Sequence, residues 1–295
     1  GMLFSQNVGD TDALNDVWTN GQYINMQVSA NVAIKLDEKD KYVVVAEMSY
    51  NPDDKSDTDN TMRSREYYFR WMPNKNLVFY SGLMDKVFGI RSENHYLIAK
   101  APLSLQQNDQ SHGATAVYQN DRLEATGQYF IGNLHIDGDT EQSGLSSKFV
   151  WKPNSSSRIG ASVLSSSSPY QDKFQYSLHA EYGLGHGSSI LGEIGQATKT
   201  ENSVGVSNDE TSRYFMLQGT IRPRRGFYLY HIIEYYKRDI ESENYLMRLG
   251  PGLQWFVDQG LEFRIDFLNE RSISFGSSGR FQDDWELLSQ VHIWL

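Results

Sequence analysis

Histidine is the side chain best placed for acid–base work near neutral pH, and the chain carries seven. Three of them, His95, His112 and His135, fall in or beside long polar segments, and Ser111 directly precedes His112. That pairing of a hydroxyl with a base is the minimum for nucleophilic hydrolysis. Neighbouring residues of a strand point to opposite faces, however, so the pair is split if this segment is extended. No GxSxG, HExxH or phosphate-loop spacing occurs anywhere. The run DDKSDTDN holds Asp53, Asp54, Asp57 and Asp59 but lacks the glycine and terminal glutamate of a calcium loop. Further acids gather at Asp137, Asp139 and Glu141, at Asp209 and Glu210, and at Asp283 and Asp284, and read as solvated acidic faces. With no cysteine, disulfides, CxxC zinc sites and CxxCH haem attachment are excluded. No catalytic residue, metal site or cofactor is expected.

The more abundant chemistry is charge. There are 37 acids against 27 lysines and arginines, a net charge of -10 that disfavours a nucleic-acid partner. Many of these charges recur at every second position. Leu261, Phe263, Ile265 and Phe267 share one face of an extended segment, against Glu262, Arg264 and Asp266. Ile24, Met26, Val28, Ala30, Val32, Ile34 and Leu36 oppose Tyr23, Asn25, Gln27, Ser29, Asn31 and Lys35. Phe174, Tyr176, Leu178, Ala180 and Tyr182 oppose Gln175, Ser177, His179 and Glu181. Period two dominates and helical stripes are nearly absent. No segment approaches the roughly 20 apolar residues of a membrane helix.

Several alternating segments reach ten residues or more. That is longer than the 5–6 usual in soluble sheets and close to the roughly 9–11 of a tilted membrane-spanning strand. Fifteen strands are predicted, near 23–35, 42–51, 62–71, 76–83, 111–119, 123–132, 143–151, 158–165, 172–182, 188–198, 211–221, 226–238, 244–256, 261–270 and 285–295. Their links alternate. Short ones lie around 37–41, 73–75, 120–121, 153–157, 185–187, 223–225 and 258–260. Long ones span 52–61, 84–110, 133–142, 166–171, 199–210, 239–243 and 271–284. Short turns on one rim and long loops on the other mark an all-β, closed antiparallel transmembrane β-barrel. Trp71, Trp151, Phe256 and Trp294 at the short-turn rim fit an interfacial aromatic girdle. Such barrels need an even strand number, so a sixteenth strand is expected between Met2 and Thr19, with fourteen open if two weak segments fail. Residues 1–22 form the N-terminal segment and 23–295 the barrel. No basic or apolar leader opens the chain, so any signal peptide is expected to have been removed from it.

The C-terminal LLSQVHIWL alternates Leu287, Val291, Ile293 and Leu295. It resembles the last-strand signal of the general porins and porin-like proteins, with Leu where Phe is usual. GLMDKVFGIRSENH, Gly82 to His95, resembles their passage from strand into loop. With the extra strand counted, 84–110 corresponds to the third external loop, which folds inward and narrows the pore in sixteen-stranded porins. The resemblance implies a Gram-negative outer membrane, with lipid and lipopolysaccharide as surroundings.

On this register Glu66, Arg70, Glu124, Lys148, Arg158, Glu181, Arg248, Glu262, Arg264 and Asp266 line the interior. Asp85, Lys86, Arg91, Glu93, His95 and Lys100 lie on the constricting loop. So many charges in a dry core would cost several kcal/mol per ion, whereas a wet lumen avoids most of that. The expected function is a channel for small hydrophilic solutes or ions, without enzymatic activity. A non-conducting scaffold for a periplasmic or surface protein partner, such as a cytochrome or an adhesion complex, stays open. So do a barrel hydrolase centred on His112, a lumen closed by salt bridges, and a homo-oligomer.

Overall fold

The structure is a computed structural model and describes residues 2–7, 22–25, 28–50, 62–91, 97, 98, 100, 103, 105, 109–135, 142–203, 206–273 and 281–294. Seventeen strand segments make one antiparallel sheet, and no α-helix occurs among the described residues. In chain order they are β1 (Met2–Asn7), β2 (Gln22–Asn25), β3 (Val28–Lys35), β4 (Tyr42–Tyr50), β5 (Met62–Asn74), β6 (Leu77–Met84), β7 (Ser111–Gln119), β8 (Leu123–Phe130) and β9 (Ser143–Asn154). They continue with β10 (Ser157–Ser167), β11 (Gln171–Gly185), β12 (Ser188–Ser203), β13 (Val206–Arg224), β14 (Phe227–Lys237), β15 (Leu246–Asp258), β16 (Leu261–Ile273) and β17 (Phe281–Ile293). From β3 to β17 each strand pairs with the next. β1 pairs with β17 on one side, Met2↔Val291 to Asn7↔Glu286, and with β2 on the other. The first and last strands are therefore hydrogen-bonded partners.

Burial along the strands is inverted relative to a water-soluble protein. In β11, Lys173, Gln175, Ser177 and His179 are buried while Phe174, Tyr176 and Leu178 are 48%, 43% and 62% exposed. Leu145 and Phe149 of β9, Ile159 and Val163 of β10 and Ile194 of β12 repeat the pattern. Withdrawing one such side chain from water is worth about 1.5–3 kcal/mol, so this outer surface is a liability in water and suited to hydrocarbon. Short turns at 75–76, 155–156, 186–187, 225–226 and 259–260 gather at one end. Outward aromatics ring that end: Tyr42 and Trp71, directly paired in register, Trp151, and Trp255 beside Phe263. Phe267 stacked on Trp285 at 4.6 Å lies nearer the other end.

Three expectations change. β12 and β13 run on as a hairpin to Ser203↔Val206, and β10 and β11 come within three residues of each other, so neither 199–210 nor 166–171 is a long loop. The residues added to β12 and β13, such as Lys199, Thr200 and Glu201, are polar: apolar alternation stops where the lipid belt stops, but backbone pairing does not. Asp209, Glu210, Asp283 and Asp284 accordingly sit on strands, Glu210 paired with Arg238 at 2.7 Å and Asp283 with Arg271 at 3.4 Å. Finally, Phe256 pairs with Glu262, an inward residue, and stacks on Trp294 at 6.2 Å. These two aromatics belong to the inner mouth, because the alternation that turns Arg248 and Gln254 inward carries on to Phe256, and that of Gln290 and His292 carries on to Trp294.

The inversion predicts opposite tolerance on the two faces. Leu178→Arg, at mid-strand on the outer face, is expected to cost about 2–4 kcal/mol in urea unfolding from lipid vesicles. Ala33→Arg, on the exposed inner face of β3, is expected to change stability little. Equal losses at both positions would contradict the assignment of faces.

Candidate functional site

Met84 ends β6 and Ser111 begins β7, and the described residues between them cross the barrel to the opposite wall. What draws them across is visible in the packing. Ile90 and Leu97 seat on Met216, Ile232, Leu268 and Leu288, inward residues of β13, β14, β16 and β17. Phe88 and Leu103 pack with Phe130, Leu164, Tyr214 and Tyr236. These wall residues are apolar in the otherwise polar inward phase, a seat that charge-based reading of the sequence passes over.

Polar clamps fix the loop on that seat. The Gly89 N–H donates to Ser162 Oγ at 3.0 Å, the Gly89 carbonyl accepts from Lys148 Nζ at 2.7 Å, and the Ile90 N–H donates to Glu193 Oε2 at 2.7 Å. Glu193 is the hub. Its side chain is 0% exposed, it pairs with Lys100 Nζ at 2.8 Å, and it accepts the Tyr214 hydroxyl at 2.5 Å. Burial pushes the Lys100 ammonium below its ordinary pKa, and the Glu193 carboxylate offsets this only in part. Gly89 has φ +53°, and a Cβ there would lie 2.0 Å from Glu193 Oε1, so this close approach requires glycine. Leu103 is held through its carbonyl by Lys173 and Gln175 of β11, at 3.2 and 3.0 Å.

The loop leaves a cavity of about 920 Å³ towards the short-turn end. Its walls include Glu66, Glu124, Lys148, Glu262 and Arg264 from the barrel, and Asp85, Lys86, Arg91 and Lys100 from the loop. Arg91 reaches Glu66 at 2.9 Å and Asp85 at 2.8 Å, while 71% of its side chain stays exposed. Glu262 receives Gln254 at 2.6 Å and faces His292 at 3.1 Å. Arg264 spans the Tyr230 hydroxyl at 2.7 Å and Asp266 at 2.9 Å, with Asp266 buried behind it. Lys86 stands over Phe130, and its ammonium too is pushed down by burial, against Asp109.

Four candidate residues lie away from this cavity. Arg70 donates to the Asp40 carbonyl at 3.1 Å; Arg158 faces Glu181 at 3.8 Å; Arg248 is locked to Glu270 at 2.5 Å. Glu93 and His95 lie outside the described residues. Glu193, Gly89 and Tyr214 emerge only in three dimensions: Glu193 is one inward acid among many, and its contacts with 90 and 100 bridge about a hundred residues.

His112 belongs to a different face. It is in register with Leu83 on the outer side, where its Nε2 bonds the Tyr67 hydroxyl and its Nδ1 accepts the Leu134 N–H at 3.0 Å. Tyr67 also bonds His135 Nε2 at 2.9 Å. Ser111, one residue earlier, alternates to the other face, so these partners do not supply a nucleophile–base dyad.

No known protein-family profile matches the chain, and no curated protein matches its sequence. Solved structures do match. A loop L8 deletion mutant of OmpT, an outer membrane protein of Vibrio cholerae, aligns with a TM-score of 0.69 at 8% identity, over 99% of this chain and 96% of that one. The anion-selective porin from Comamonas acidovorans aligns at 0.69 with 10% identity, covering 100% and 98%. The outer membrane channel DcaP of Acinetobacter baumannii aligns at 0.67 with 10% identity, covering 99% and 94%. At such identities the likeness speaks for fold alone, and it does so over the full length. The chain has the fold of the porin-type outer-membrane β-barrels.

Proposed function

We propose that the protein is an outer-membrane channel for passive diffusion of small hydrophilic solutes, with no catalytic step of its own. Gln22–Asn25 pairs with β1 and Val28–Lys35 with β4. Taken as the two ends of one stave, they bring the barrel to sixteen strands, with short periplasmic turns and longer extracellular loops. The observation that carries the reading is the asymmetry of the lumen. The loop docks on β9–β14 and reaches β16 and β17, where Lys173, Gln175, Glu193, Leu268 and Leu288 are buried, whereas Asn31, Ala33 and Lys35 on the inner face of β3 are exposed. A plug would bury this inner face too; a loop that leaves β3 uncovered supports an aqueous path along it.

Charge of both signs borders that path, and much of it is paired within the wall or with the loop. The expected result in a planar bilayer is discrete open steps with a small reversal potential across a salt gradient. A correctly folded barrel that stays silent would sink the channel reading and favour a scaffold for a periplasmic or surface partner.

The strap makes two further predictions. Gly89→Ala drives a methyl into the Glu193 carboxylate, so the loop is displaced and unit conductance rises with larger current fluctuations; an unchanged trace would mean the loop does not bound the pore. Lys100→Met leaves Glu193 buried without its cation, a loss of about 3–5 kcal/mol for a broken buried pair. Adding Glu193→Gln to Lys100→Met is expected to restore much of that stability, read from urea titrations of the refolded single and double variants.

A further inference from the structure

The inner wall beside the Arg91 clamp is aromatic. Tyr68 and Tyr80 both face the cavity from β5 and β6, edge to face, with ring centroids 5.6 Å apart and planes at 76°. Thr115, Val117 and Thr126 line the same cavity beside them. Glu66, two residues before Tyr68 on the same face, shares Arg91 with Asp85. Flat apolar faces thus stand next to two carboxylates and a guanidinium whose side chain is largely exposed.

We propose that this station binds neutral saccharide rings in transit, which refines the channel reading above and rests on it. A pyranose has an apolar C–H face that fits an aromatic ring and a rim of hydroxyls that both donate and accept. Carboxylates accept from such hydroxyls and the Arg91 fork donates to them, so one set of groups serves both needs. An aromatic or aliphatic carboxylate is a poorer match. Arg91 is already shared by two acids, Lys100 is bound to Glu193, Lys148 to the Gly89 carbonyl and Arg264 to Asp266. An anion would meet excess negative charge at Glu66 and Asp85 rather than an open cation. A simple cation would be attracted there but has no use for the rings.

The test is current through the refolded full chain in a planar bilayer, with maltotriose titrated on one side. The expected result is a saturable fall in current, with the half-blocking concentration raised about tenfold in Tyr68→Leu and Tyr80→Leu, equivalent to ~1.4 kcal/mol of lost contact. Each trace is scaled to its own unblocked current, and circular dichroism confirms that the variants fold. Block by a polyglycerol of equal size to the same extent, or insensitivity to both tyrosines, would overturn the proposal in favour of simple sieving. Block by benzoate but not by maltotriose would overturn it in favour of an aromatic-anion site. Titration calorimetry of maltotriose into the detergent-solubilised protein separates the two levels of the argument. Heat without any conductance would uphold the saccharide station and remove the channel, while conductance without heat or block would do the reverse.

Discussion

A strand surrounded by hydrocarbon has no water to satisfy its N–H and C=O groups, and each one left unpaired costs several kcal/mol. The pairing of β1 with β17 follows from that constraint, and so does most of what else is seen. An open edge anywhere in the sheet would expose a row of such groups to lipid. Once the edges are paired, the outer face must be apolar and the inner face is released from that requirement. The alternation of Lys173, Gln175, Ser177 and His179 with Phe174, Tyr176 and Leu178 is this division written along one strand.

A polar interior is cheap only while water reaches it. Where the loop covers the wall, the local rules revert to those of a protein core. Apolar residues reappear on the inner face at Met216, Ile232, Leu268 and Leu288, and the buried carboxylate Glu193 is provided with an ammonium, a hydroxyl and an amide donor. The pair formed with Lys100 does not by itself make the docked loop much more stable than an apolar contact would, since the desolvation of both ions offsets their attraction. Its effect is on register. Only one placement of the loop brings the Ile90 amide, the side-chain-free Gly89 and Lys100 to the same carboxylate together.

The architecture was open to sequence reading because period two, strand length and the distribution of turns are local properties. Parity alone calls for a further strand before residue 22, and β1 lies within the stretch where parity places it. The errors fall where local signals and lipid contact separate. The β12–β13 hairpin continues past the apolar belt in polar sequence, so its outer part reads as a loop. Phe256 and Trp294 read as lipid-facing from residue type and nearness to the rim, although the alternation through Gln254 and His292 turns both inward. The docking site is less legible still. Its determinants are apolar residues in the polar phase and one glycine with positive φ, and only the path of the loop explains them.

The same distinction between wet and dry charge decides which residues shape the permeation path. Arg248 with Glu270 and Arg264 with Asp266 neutralise each other within the wall and present little net field to a solute. Glu193 and Lys100 form a pair that is almost wholly buried where the loop meets the wall. Arg91 differs in kind: it is anchored by two acids from different elements, yet remains open to the cavity. An exposed ion pair adds only about 0–1 kcal/mol to stability, so an arginine kept in that position is better explained by what it presents to the lumen than by what it holds together. Loop docking places Asp85 and Arg91 opposite Glu66, and in this way a structural clamp on one side of the barrel fixes the chemistry on the other.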